Sequence, residues 1–206
     1  MYYHGTSLEN LHMMLQTGLI NILPKKKVWP DHSGPYIYFF NEMVDPYAKE
    51  LAAEQAAYAL LAMHHTRRAI IAIEPKSLNT EKIEVDPDMR EAVRFSDSIP
   101  LEVVYSFFIE EYRSKDVTQK WLELAAISKL VQLYPMYESG FYYADPDARK
   151  DLMQQSGIHY LDLIAKPIWS KGSKLLDRLE DLQDESRELD RFQEHSFEQL
   201  KLVFTD

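Results

Sequence analysis

A strand that passes into a helix with no linker between them is the tightest constraint in this sequence, and it comes at the very start. Tyr2 and Tyr3 favour an extended chain. Thr6 and Glu9 stand at the S/T-x-x-E spacing of a capping box, which starts a helix at about Ser7. Leu8, Leu11, Met14 and Leu15 then give one apolar stripe, and Gly18 falls where a left-handed C-cap belongs, so the helix is predicted over residues 7–17. His4 is left at the end of a short strand, beside a glycine. Gly5 permits a tight turn or the close approach of another molecule. An imidazole in that place either faces a bound molecule or hydrogen-bonds the backbone.

The chain continues as alternating strands and helices to about residue 112. Residues 21–35 read as a loop broken by Pro24, Pro30, Gly34 and Pro35, and Lys25, Lys26 and Lys27 within it read as a solvated tip. Tyr36-Ile37-Tyr38-Phe39-Phe40 reads as a buried strand. Asp45 and Pro46 give an N-cap and a first-turn proline to an alanine-rich helix running to about His64, whose small side chains suit tight packing on a sheet. Residues 69–73, 82–85 and 101–109 are further strands, the last entered through Ile99-Pro100. From about Ser114 the periodicity turns helical: Val117, Trp121, Leu124, Ile127 and Leu130 mark one helix, and Leu175, Leu179, Leu182, Leu189 and Phe192 another with a charged outer face. The fold class is therefore α+β, with a core over 1–112 and a mostly helical extension over 113–206 that can pack on it as one unit.

Composition narrows the functions. Of 206 residues 46% are hydrophobic, which is ample for a core, and the net charge of −10 argues against broad phosphate binding through clustered Lys and Arg. With no cysteine there is no disulfide frame, thiolate zinc site or cysteine nucleophile. No metal site is expected either: His64 and His65 are adjacent and point to different sides of a helix. No apolar run reaches the ~20 residues of a membrane span, and no secretory signal opens the chain. Membrane association is not expected, and a reducing cytoplasm is the expected compartment; a toxin delivered by a leaderless route has the same composition.

Three elements in order carry a resemblance: His4-Gly5-Thr6 on the first strand, Tyr36-Ile37-Tyr38-Phe39 before the alanine-rich helix, and Ile99-Pro100-Leu101-Glu102-Val103 near the last strand. Gly18-Leu19 after the first helix, and Phe39 with Ala48 through Tyr58-Ala59, add to it. Over residues 2–110 the chain resembles the ADP-ribosyltransferase superfamily, in its H–Y–E branch of poly(ADP-ribose) polymerases and diphtheria-type toxins. The resemblance implies a split β-sheet core and a mono-ADP-ribosyltransferase, possessing NAD as its substrate. Of the residues, it implies that His4 hydrogen-bonds the 2′-OH of an NAD ribose. Thr6 or the Gly5 backbone holds the nicotinamide amide. Tyr38 stacks on the nicotinamide, and Tyr47 or Tyr58 closes the other side. Glu102 binds the nicotinamide ribose and stabilises the developing oxocarbenium-like charge. The chemistry is coherent. The leaving nicotinamide is already cationic in NAD and needs no general acid, and a carboxylate aimed at a forming cation stabilises the transition state above the ground state.

The match departs from the pattern at Gly34-Pro35-Tyr36, where Tyr36 competes with Tyr38, and strand alternation puts both on one face. Glu102 follows an Ile-Pro, so Glu110 or Glu111 stand as alternatives. The expected acceptor is a macromolecule, protein in preference to nucleic acid, with the helical extension as a candidate partner surface. Two other readings compete. Tyr3-His4-Gly5-Thr6 and the Ile-Pro element also resemble RNA 2′-phosphotransferases, which need arginines around a phosphate, whereas Arg67-Arg68 is the only adjacent arginine pair here. The other is an ADP-ribosyltransferase fold retained as an inactive binding or immunity module.

Overall fold

A computed structural model describes residues 1–21, 36–63, 67–87, 89–111, 120–121, 123–125, 127–128 and 175–204. Its framework is a seven-stranded sheet in the order β5-β6-β3-β1-β4-β8-β9. The strands are β1 (Tyr2–Ser7), β3 (Ile37–Asn41), β4 (Arg68–Ile73), β5 (Ile83–Val85), β6 (Ala92–Phe95), β8 (Val104–Glu110) and β9 (Phe192–His195). Every neighbouring pair is antiparallel. Two short strands, β2 (Leu19–Ile20) and β7 (Ile99–Pro100), form a separate antiparallel pair. The molecule is thus mixed α and β with an antiparallel sheet. β4 lies between β1 and β8 with all six residues buried. An apolar run with no alternation suits a strand covered on both faces.

The two faces are covered by different helices. On the face carrying Tyr2, Phe39, Ile71 and Phe107 lie α1 (Leu8–Thr17), through Leu11, and α4 (Phe197–Val203), through Leu200. The N-cap of α1 is Ser7, whose hydroxyl accepts from Asn10 N–H, so the cap sits one residue beyond the predicted Thr6. Thr6 stays on the strand because β1 keeps pairing with β4 as far as Ser7↔Arg68. Gly18 ends α1 at φ 70°, as its position predicts.

The opposite face, with Phe40, Ile70, Ala72 and Phe108, is covered by α2 (Ala48–Met63). α3 (Leu175–Arg187) packs in turn on α2, which explains why α2 is apolar nearly all round. Gly5 is the contact point of α2 with the sheet. A Cβ there would lie 2.0 Å from Ala52 O and 2.7 Å from Ala56 N. The close approach that Gly5 permits is therefore that of a helix backbone.

Three differences from the sequence reading have physical reasons. Residues 101–103 form a 3-10 turn before β8 begins, because Leu101 N–H is taken by Gly18 O at 2.9 Å and leaves the main ladder. β6 has only four residues, too short for alternation to register. Phe192 lies in a strand instead of extending α3, since β9 completes the outer ladder of β8 from Phe107↔His195 to Glu110↔Phe192. Of the predicted helix after Ser114, positions 120–121, 123–125 and 127–128 are helical, and Trp121, Leu124, Ala125 and Ile127 are buried. The readings at Lys25–Lys27, Gly34-Pro35, His64–His65, Val117 and Leu130 lie outside the described residues.

Candidate functional site

The site begins with an interruption in the ladder between β1 and β3. These strands pair as Tyr2↔Asn41 and Tyr3↔Phe40, and Glu42 N–H donates to Met1 O at 3.1 Å. In an antiparallel ladder hydrogen-bonded pairs recur at every second residue. The next would join Gly5 to Tyr38. It does not form. The Tyr38 carbonyl instead accepts from His4 Nδ1 at 2.8 Å, and Gly5 N–H donates to the Gln55 side-chain carbonyl at 2.9 Å. Both buried backbone groups are satisfied, each by a side chain.

This exchange fixes the state of His4. A carbonyl only accepts, so Nδ1 carries the proton and Nε2 of the neutral ring is an acceptor. Nε2 has no partner among the described residues. Burial holds the imidazole below its usual pKa, against the opposing pull of the Tyr38 carbonyl. The ring leans on Phe39, centroids 5.7 Å apart. The result is a part-buried, neutral, oriented histidine with one lone pair to offer.

The other predicted residues fall around this slot in different ways. Thr6 is buried on the same strand face as His4. Tyr36 and Tyr38 share a face, as alternation requires, with centroids 6.3 Å apart, and the Arg94 guanidinium lies 4.4 Å from the Tyr36 ring. That face is the one covered by α2, so the Tyr38 side chain and the His4 ring leave the sheet on opposite sides and meet only through the Tyr38 carbonyl. Tyr47 is 66% exposed at the start of α2. Tyr58 is buried deeper along α2, where its hydroxyl donates to Glu54.

Glu102 is exposed on the 3-10 turn before β8. The register Tyr2↔Ile73↔Val104 puts it beyond the start of β1, and among the described residues no hydrogen bond or ion pair joins it to His4 or Tyr38. Glu110 is buried and bound to Arg68 at 2.7 and 3.0 Å, and Glu111 accepts from Gln193. The structure thus brings together His4, Gly5 and the Tyr38 backbone, and leaves Glu102 and Tyr47 outside that group.

Gln55 is the residue that sequence reasoning missed. Its one signal is the Glu54-Gln55 pair interrupting an alanine-rich run. Glu54 joins a second polar cluster, in which its carboxylate also accepts from Gln183 Nε2 at 3.0 Å and Arg187 Nε at 2.8 Å. Burial beside that carboxylate pushes the Tyr58 hydroxyl pKa well up. The Arg67-Arg68 pair is engaged as well: Arg67 donates to Glu110 O at 2.6 and 2.9 Å, and Arg68 is fully buried. Among the described residues no group of three or more His, Asp or Glu is placed to hold a metal ion, and no helix is long and apolar enough to cross a membrane. No family model, curated protein or solved structure matches this chain.

Proposed function

We propose that the chain is an ADP-ribosyltransferase of the H–Y–E type, which cleaves the nicotinamide–ribose bond of NAD and transfers ADP-ribose to a macromolecule. The observation that carries this reading is the opened Gly5/Tyr38 rung with the neutral His4 held in it. An oriented acceptor, beside a backbone donor that Gln55 now occupies, is what a ribose hydroxyl and a carboxamide would need. The split-sheet core implied by the resemblance is part of the same proposal. Glu102 is exposed and bears the expected carboxylate, which in this reading meets the ribose once NAD lies across the start of β1. Protein is the preferred acceptor because the net charge of −10 disfavours a polyanion. A toxin-like role in the cytoplasm belongs to this reading, and a chain without cysteine suits a reducing compartment.

The test is nicotinamide release from NAD by the wild type, Glu102→Ala and His4→Ala. Turnover by the wild type, with a loss of about 10²-fold in kcat for Glu102→Ala, is the expected result, by analogy with removal of one transition-state contact. No release by the folded wild type overturns the proposal.

A second reading has an observation of its own. The His4 and Tyr38 side chains leave opposite faces of the sheet and Glu102 touches neither, which suits an inactive module that binds without cleaving. NAD binding with no nicotinamide release would select it. The 2′-phosphotransferase reading loses ground because both arginines of the pair are bound to Glu110.

A further inference from the structure

The opened rung does more than place His4, because its other half is filled. Gly5 N–H points across the gap to where Tyr38 O would be, and Gln55 reaches down from α2 to put a primary carboxamide there instead. The Gln55 Nε2 donors have no partner among the described residues. The strand therefore holds an amide oxygen at Gly5 by one hydrogen bond of 2.9 Å, on a side chain that is part-exposed and can rotate away. Gly5, by contrast, is buried directly beneath the α2 backbone, with Ala52 O 2.0 Å from where a Cβ would be.

We propose that Gln55 is a gating residue, a built-in carboxamide that occupies the Gly5 position and must leave before a free carboxamide ligand can bind there. This rests on the transferase reading for its biological meaning, because nicotinamide is a carboxamide, but the gate itself is a property of the slot. The chemistry recognised is a planar amide whose oxygen accepts from Gly5 N–H. A ligand competing with an occupant already in place binds with an affinity reduced by the fraction of time the place is open.

The test is titration of the 15N-labelled full chain with nicotinamide, following the Gly5 backbone amide, for the wild type, Gln55→Ala, Gln55→Asn and Gln55→Glu. Gln55→Ala should bind about tenfold more tightly, which corresponds to an occupant present for about nine-tenths of the time. Gln55→Asn keeps the amide but is one methylene too short, so it should behave like alanine and guards against a folding defect in that variant. Gln55→Glu offers Gly5 a charged acceptor, a stronger partner, and should bind more weakly than the wild type. Equal affinity across the series, or a Gly5 resonance that does not move, overturns the gate. NAD turnover separates this from the transferase reading. Tighter nicotinamide binding without NAD cleavage keeps the gate and removes the enzyme; cleavage at rates that ignore position 55 keeps the enzyme and removes the gate.

Discussion

Helix α2 carries a polar cluster along its length and a single polar contact one residue further on, and the two differ in how completely they are paired. Around Glu54 the carboxylate takes Tyr58, Gln183 and Arg187, while nearby Arg68 spends its donors on Glu110, Ala53 O and Ser186 O and lies 4.3 Å from the Trp121 ring. This cluster ties α2, β4, β8 and α3 together. At Gln55 the arrangement is sparse: one hydrogen bond to Gly5, one from His4 to Tyr38 O, and acceptor and donor groups left over. A fully paired buried network is rigid and specifies one structure, and removing a member is expensive. A rung patched by two side chains loses little when a ligand replaces one of them. The difference marks the first cluster as framework and the second as the place where something else can bind.

The largest effect should come from the framework. Arg68→Met removes the cation paired with the buried Glu110 carboxylate and should lose about 3–5 kcal/mol in urea unfolding, whereas Arg68→Met with Glu110→Leu should recover most of it. If the single variant loses under 1 kcal/mol, the contrast between the regions fails. Next is Gly5→Ala, whose Cβ would strike the α2 backbone at Ala52 O. A loss of roughly 1–3 kcal/mol or more is expected, and unchanged stability would show that α2 sits higher on the sheet than described. Gln55→Ala should then lose only about 1 kcal/mol, the net worth of one neutral hydrogen bond.

The smallest effect is the pH dependence from His4. Its folded pKa is lowered, so above the unfolded value of about 6.5 both states are neutral and its contribution is whole. As the pH falls below that value the unfolded chain takes up a proton first, and stability drains until the lowered folded pKa is passed. The Tm of the wild type should therefore fall more than that of His4→Gln between pH 7.5 and 5. Parallel curves would mean that the ring is not held neutral.

The framework was the more legible region. The capped first helix, Gly18, the strand at 69–73 and the Asp45-Pro46 start of α2 follow from local chemistry. β9 could not be read because Phe-Gln-Glu-His has no strand signal of its own and is extended only by pairing with β8. The same limit holds at the slot. His4-Gly5 marks a place of interest in sequence, but the exchange at Tyr38 O depends on where two strands separate. Gln55 belongs to the slot only because α2 stands directly over Gly5, a coincidence of packing between residues fifty positions apart.

The late pairing of β9 also bears on how the molecule can be made. β8 is almost wholly buried, yet its outer hydrogen bonds are completed by residues 192–195, more than eighty positions downstream. A nascent chain that has just emerged past residue 110 therefore presents an unpaired ladder lined by Phe107, Phe108 and Ile109, an open template for its neighbours. Nor would cutting the gene at residue 112 yield a small stable version: it would produce a polypeptide prone to clumping.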